Sequence, residues 1–221
     1  MSPEKKELTV EVWSDVVCPW CYIGKRRFEA AFELFEHRDS VRVIWRSFEL
    51  DPNSPRTAQQ TVREMLASKY GVTLAEADAM QARVTEMAAG EGLHYRLDLT
   101  KRTNTFDAHR LIHFAKAQGK QDAMKERLMK AYFVEGAAPG DPETLVALAA
   151  EAGLGAVDGL DARAVVDGDA YAQDVRADEE RAVRLGIRGV PFFLAAGKYG
   201  ASGAQAPETL LGLLQQAWDE G

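Results

Sequence analysis

The chain of 221 residues has two cysteines, and they stand two residues apart in Cys18-Pro19-Trp20-Cys21. Thiolate is the reactive form of cysteine. A pair at this spacing can exchange a disulfide with another molecule: one sulfur attacks to give a mixed disulfide, and the other displaces the product thiol. Residues 8–13 read as a strand, 14–17 as a turn, and a helix is predicted to begin at about Cys18 or Pro19, where proline suits the first turn. The unpaired N–H groups and positive dipole end of that turn would stabilise a thiolate at Cys18. Cys21 follows one turn deeper on the same face, close enough to resolve the mixed disulfide. Two other roles compete. Cysteines are often small buried hydrophobes. A zinc-stabilised binding module would draw on His109 and His113, an i, i+4 pair. The gap from Cys21 to His109 is far longer than the roughly 12–15 residues of a finger, and the histidines read as packing residues beside Phe106 and Phe114.

The elements that must position these residues follow from pattern. Leu8, Val10 and Val12 alternate with Thr9, Glu11 and Trp13. Phe28, Ala31, Phe32 and Phe35 recur at helical spacing, and 41–48 reads as a second strand, so the first three elements form a parallel strand–helix–strand unit. From about 57 to 186 the pattern is helical. Thr73 with Glu76 forms a capping box, Asp141-Pro142-Glu143 starts a helix, and further helices are predicted over 103–118, 120–134 and 169–185. The run from Arg176 to Arg184 reads as a solvated face. Strand character returns at 190–194, a turn at 197–200 precedes another short strand, and 207–218 closes the chain as a helix. The fold class is α/β: a small mixed sheet, 1–55 plus 187–221, interrupted by a helical insertion, 56–186.

Composition narrows the function. Hydrophobic residues at 46% and charged ones at 28% fit a globular protein. Lys+Arg 27 against Asp+Glu 34 leaves a net charge of -7, which on average repels nucleic acid and anionic membranes. The most apolar later stretch, 145–150, is far short of the ~20 residues that span a bilayer. No apolar segment with a small-residue cleavage site follows the charged start, so a cytoplasmic protein is expected. Gly153 to Gly159 lacks the lysine and preceding strand of a phosphate loop.

The motifs together resemble a known family. Ser14-Asp-Val-Val-Cys-Pro-Trp-Cys-Tyr-Ile-Gly24, Phe48-Glu-Leu-Asp-Pro52, Asn104-Thr-Phe-Asp-Ala-His-Arg-Leu111, Gly189-Val-Pro-Phe-Phe193 and Ser202-Gly-Ala-Gln205 are similar to the FrnE-type branch of the DsbA thioredoxin-like oxidoreductases. That resemblance implies a thioredoxin-like fold with a large helical insertion, Cys18 as nucleophile, Cys21 as resolving thiol and Pro191 as a cis-proline facing them. Pro19, Trp20, Val190 and Pro191 would line the substrate site; Tyr22 and Phe192 would join Trp20 in an apolar rim for a peptide or aromatic substrate, or serve as core; and Asp15 would relay a proton to or from Cys21 or act as a cap or turn residue. DsbA itself has a histidine between its cysteines. Pro19 and Trp20 bring no charge, so strong oxidising power is not implied. Related isomerases tend to have serine where Cys18 stands, so the intact pair favours redox chemistry. The expected partners are protein or small-molecule thiols and disulfides, with glutathione as a co-substrate and no metal, flavin or nucleotide. The rival on the same fold is a glutathione-dependent isomerase of aromatic compounds, similar to 2-hydroxychromene-2-carboxylate isomerase.

Overall fold

The computed structural model describes residues 6–56 and 60–221. The start expected for the helical block, near 57, lies outside the described residues. Strands β1 (Leu8–Ser14) and β2 (Val41–Ser47) flank helix α1 (Pro19–Leu34) and pair in parallel, in register from Leu8 with Val41 to Ser14 with Ser47. Strand β3 (Phe192–Ala195) runs antiparallel to β1, with Val12 opposite Phe193, and turns back into β4 (Tyr199–Ser202). The sheet order is β2-β1-β3-β4, mixed as the pattern predicted. Helix α9 (Pro207–Asp219) packs against α1.

Alternation along β1 sorts its side chains to two covered faces. Val10 and Val12 join Phe28, Phe193, Leu210 and Leu214 in the main core. Trp13 points the other way, with Leu194, Ala182 and Ile187. The strand is therefore buried on both sides, as expected of one central in a sheet with helices on each face.

Between β2 and β3 come α2 (Val62–Tyr70), α3 (Leu74–Gly90), α4 (Phe106–Lys116), α5 (Gln121–Phe133), α6 (Pro142–Glu151), α7 (Ala162–Asp167) and α8 (Ala172–Arg184). The capping box at Thr73 and the Asp141 cap are present. A second box, Thr61 with Glu64, opens α2, an element not resolved within the predicted helical block. α7 has six residues, too few for a periodic signal. The exposed edge of β2 is covered by side chains. Gln121 both accepts from and donates to the Trp45 backbone, and Asp178 accepts from the Ser47 N–H at 3.0 Å.

That last contact corrects the reading of 176–184 as a solvated face. Asp178 is buried and also meets Arg46 and His113. Arg181 pairs with buried Glu11, and Arg176 with buried Glu49. Charges on one side of α8 are ordered because β1, β2 and the loop after β2 present matching charges. The main core also continues into Leu111, Leu128 and Leu145 of the inserted helices.

Candidate active site

Cys18 is the N-cap of α1, with extended backbone (φ -87, ψ 112) and Pro19 at the first helical position. Residues before proline are driven to that region, so the dipeptide itself fixes where the helix starts. Both thiols are free and buried, Cys18 3% and Cys21 1% exposed. Burial raises the Cys21 thiol well above the ordinary cysteine range, and a hydrogen bond with Cys18 adds to the effect. The two sulfurs are thus neighbours. Trp20, 37% exposed, stands on the rim beside them.

The Val190–Pro191 peptide is cis. The Cys18 thiol donates to the Val190 carbonyl at 3.5 Å, which brings the loop ahead of β3 over the cysteine pair. Two features missed from sequence hold it there. A Cβ on Gly24 would lie 2.8 Å from Pro191 Cγ, so only glycine lets the proline ring rest on α1. On the other side, Gly203 N–H donates to the Pro191 carbonyl at 2.8 Å. Arg27 donates to the Ala204 carbonyl and pairs with Glu91, tying the 202–205 loop to α1 and α3's end.

A wall of aromatic rings closes the opposite side. Tyr22 stacks on Tyr95, and Tyr95 on Phe133, with ring centroids 6.1 and 4.6 Å apart. Tyr95 donates its hydroxyl to the Pro19 carbonyl at 2.8 Å. Burial, and then the nearby Cys18, raise its phenol far above the ordinary tyrosine range, so it serves as a donor. Tyr22 is core and not rim, whereas Phe192 is half-buried, edge-on to Trp13.

Asp15 lies fully buried under the motif, but not as the cap of α1. Its carboxylate accepts from the Leu50 N–H at 2.8 Å and meets His109 Nε2 at 3.3 Å. Burial opposes its ionisation; the hydrogen bonds from His109 and the Leu50 N–H, with the Lys125 charge nearby, outweigh burial and hold it below the usual carboxylate range. His109 in turn is pushed down by burial, so a neutral imidazole presents its N–H to Asp15. No hydrogen bond joins the Asp15 carboxylate to either thiol, although the Asp15 backbone reaches Cys21. His113 turns instead to Ser47 Oγ and Asp178, both at 3.1 Å. The histidines thus serve separate buried partners and do not converge on one metal. Among the described residues there is no group of three or more His, Cys, Asp or Glu side chains arranged for a metal ion.

α5 reaches the site through a polar latch to α1. Lys25 pairs with Asp122 and Glu126, while Tyr22 donates to Glu126 at 2.6 Å. The latch seats Lys125 beneath the motif, its Nζ donating to the Ser14 carbonyl at 3.1 Å. Nothing in the local sequence marks this lysine, which meets the site from 111 residues away.

Residues 9–215 match the family model of the DSBA-like thioredoxin domain. The chain is 45% identical to a probable DsbA oxidoreductase from Streptomyces coelicolor, over 97% of this chain and 92% of that one, with a TM-score of 0.91. It is 19% identical to the cytosolic disulfide reductase DsbM from Pseudomonas aeruginosa, in a structure with GSH, over 94% and 98% of the two chains, TM-score 0.61. A 2-hydroxychromene-2-carboxylate isomerase is 16% identical over 96% and 95%, TM-score 0.66. At such low identities these last two likenesses are of fold.

Proposed function

Because the chain belongs to the DSBA-like thioredoxin domain family, we propose that it is a thiol–disulfide oxidoreductase of the FrnE type acting through Cys18 and Cys21. Cys18 attacks the substrate disulfide, a mixed disulfide forms, and Cys21 displaces the product thiol. One observation carries the reading: two free, adjacent thiols at the first turn of α1, the outer of them facing the Val190 carbonyl. Pro19, Trp20, Val190 and Pro191 line the approach for an extended peptide or a small disulfide. Trp20 supplies apolar contact, and the loop before β3 supplies backbone polar groups beside the reacting sulfur. The reading divides the chain into a thioredoxin-like part, 1–55 plus 187–221, and an inserted helical part, 56–186. It includes glutathione as a small co-substrate and the cytoplasm as compartment, on the analogy of cytosolic DsbM with GSH.

Glutathione-dependent isomerisation of an aromatic compound is the second reading, on the analogy of the isomerase of like fold. The pair of thiols favours the first, since an isomerase needs no resolving sulfur. The deciding experiment expresses Cys21→Ser in the native host, traps thiols with acid, and identifies what is bound to Cys18 by mass spectrometry. Protein clients are expected. Glutathione alone would favour the isomerase, and absence of any adduct, with wild type inactive on insulin and glutathione disulfides, would end the redox mechanism.

A further inference from the structure

The mechanism above leaves one buried charge unused. Lys125 is fully buried, and its one hydrogen bond among the described residues goes to the Ser14 carbonyl, at the end of β1. No carboxylate among the described residues pairs with it, whereas its buried neighbour Lys25 holds Glu29, Asp122 and Glu126. An ammonium taken from water without a counter-ion is expensive, and proteins seldom bury one unpaired. The titratable groups facing it are Cys18, Cys21 and Lys25 from α1, Asp15 from the turn after β1, and His109 from α4; the Trp45 ring of β2 lies 6.0 Å away. Asp15 already has His109 and Leu50, and Lys25 has its own carboxylates. Asp15 and the cysteines are the facing groups that become anions, and of these Cys21 is the one that the exchange cycle must ionise. Burial lowers the lysine to about 8, and Cys21 is the strongest of the charges opposing that fall.

We infer that Lys125 is a positioning residue for the second exchange step, the buried positive charge that Cys21 faces when it becomes a thiolate. The inference rests on the oxidoreductase reading. In that step Cys21 gives up its proton, and the electron pair of its sulfur forms the bond to Cys18. The bond between Cys18 and the substrate sulfur breaks, and its electron pair leaves on that sulfur, which takes up a proton. Lys125 ends as it began. Without its charge the buried Cys21 thiolate would keep the Asp15 backbone hydrogen bond and the N-terminal end of α1, one turn away, to favour it.

The two steps can be timed apart with dithiobis(nitrobenzoate), which releases one coloured thiol on attack by Cys18 and a second on resolution by Cys21. In Lys125→Met the second release should slow about tenfold near neutral pH, with its rise moved up by about one pH unit, the equivalent of one unit in a thiol pKa. The first release should stay within about twofold, and Lys125→Arg, which keeps the charge, should restore the profile. A second-phase profile unchanged in Lys125→Met overturns the inference while leaving the oxidoreductase reading intact. Absence of the first phase in wild type overturns that reading and the inference with it. Should Lys125→Met fail to fold, the Lys125 side chain is titrated by NMR in wild type and in Cys21→Ser. A lower midpoint in Cys21→Ser supports the pairing, and an identical one overturns it.

Discussion

Cys21 is the deeper sulfur, and burial together with its hydrogen bond to Cys18 keeps it protonated well above the ordinary cysteine range. Iodoacetamide at neutral pH should therefore modify Cys18 first and leave Cys21 unlabelled until the chain is unfolded, as peptide mapping would reveal; equal labelling would contradict the ordering. Beneath them, Asp15 is ionised because His109 and the Leu50 N–H outweigh the cost of burial. A carboxyl lowered on folding contributes stability that is present above its unfolded value, near ~3.9, and lost as pH falls through its folded value. Asp15→Ala should remove that acid-dependent part and cost roughly 1–3 kcal/mol at neutral pH, the usual penalty for leaving buried hydrogen-bond partners unsatisfied. Chemical denaturation of variant and wild type at neutral and acid pH gives the comparison; equal loss at both would mean that Asp15 is neutral in the fold.

α1 shows how far local pattern reaches. Cys18-Pro19 sets its start, the Phe28 and Ala31 stripe sets its buried face, and both were legible because the interactions are short-range. What lies across from that face was not. Gly24 stands within the helix with no local signal of its use, which emerges only when Pro191, from the loop before β3, rests on it. The same holds for Asp15 with His109 and for Lys125 with Ser14, pairs 94 and 111 residues apart. Polarity at such positions signals exposure until the partner is known, which is also why the α8 charges were misread. Gly24→Ala tests the contact. Alanine favours the helix by about 1 kcal/mol, but overpacking costs roughly 1–3 kcal/mol, and a proline ring cannot swing aside. Stability should change little while disulfide exchange slows several-fold, because the Val190 carbonyl moves away from Cys18. Unchanged exchange rates would show that Pro191 does not need to sit there.

The thioredoxin-like sheet and the inserted helices share one core, with Leu128 of α5 and Leu145 of α6 in the same cluster as Val12 and Phe193. Insertions usually read as separable, and sequence alone offered no reason to join them. The shared core implies that they melt together: Leu128→Ala should cost about 2–5 kcal/mol and lower a single transition that far-ultraviolet dichroism and tryptophan fluorescence report alike. Two separate transitions would show an independent helical unit. Such coupling matters for chemistry, since α5 supplies Lys125 and Phe133 of the aromatic wall while α1 and the loop before β3 supply the sulfurs and their cover. In the proposed mechanism Cys18 opens the substrate disulfide and Cys21 closes the cycle. Intact mass spectrometry after exposure to glutathione disulfide tests it directly. Wild type should end as the Cys18–Cys21 disulfide without adduct, and Cys21→Ser should carry one persistent glutathione on Cys18. A Cys18→Ser variant that acquires the adduct faster on Cys21, or a wild type that remains a dithiol, would contradict the account.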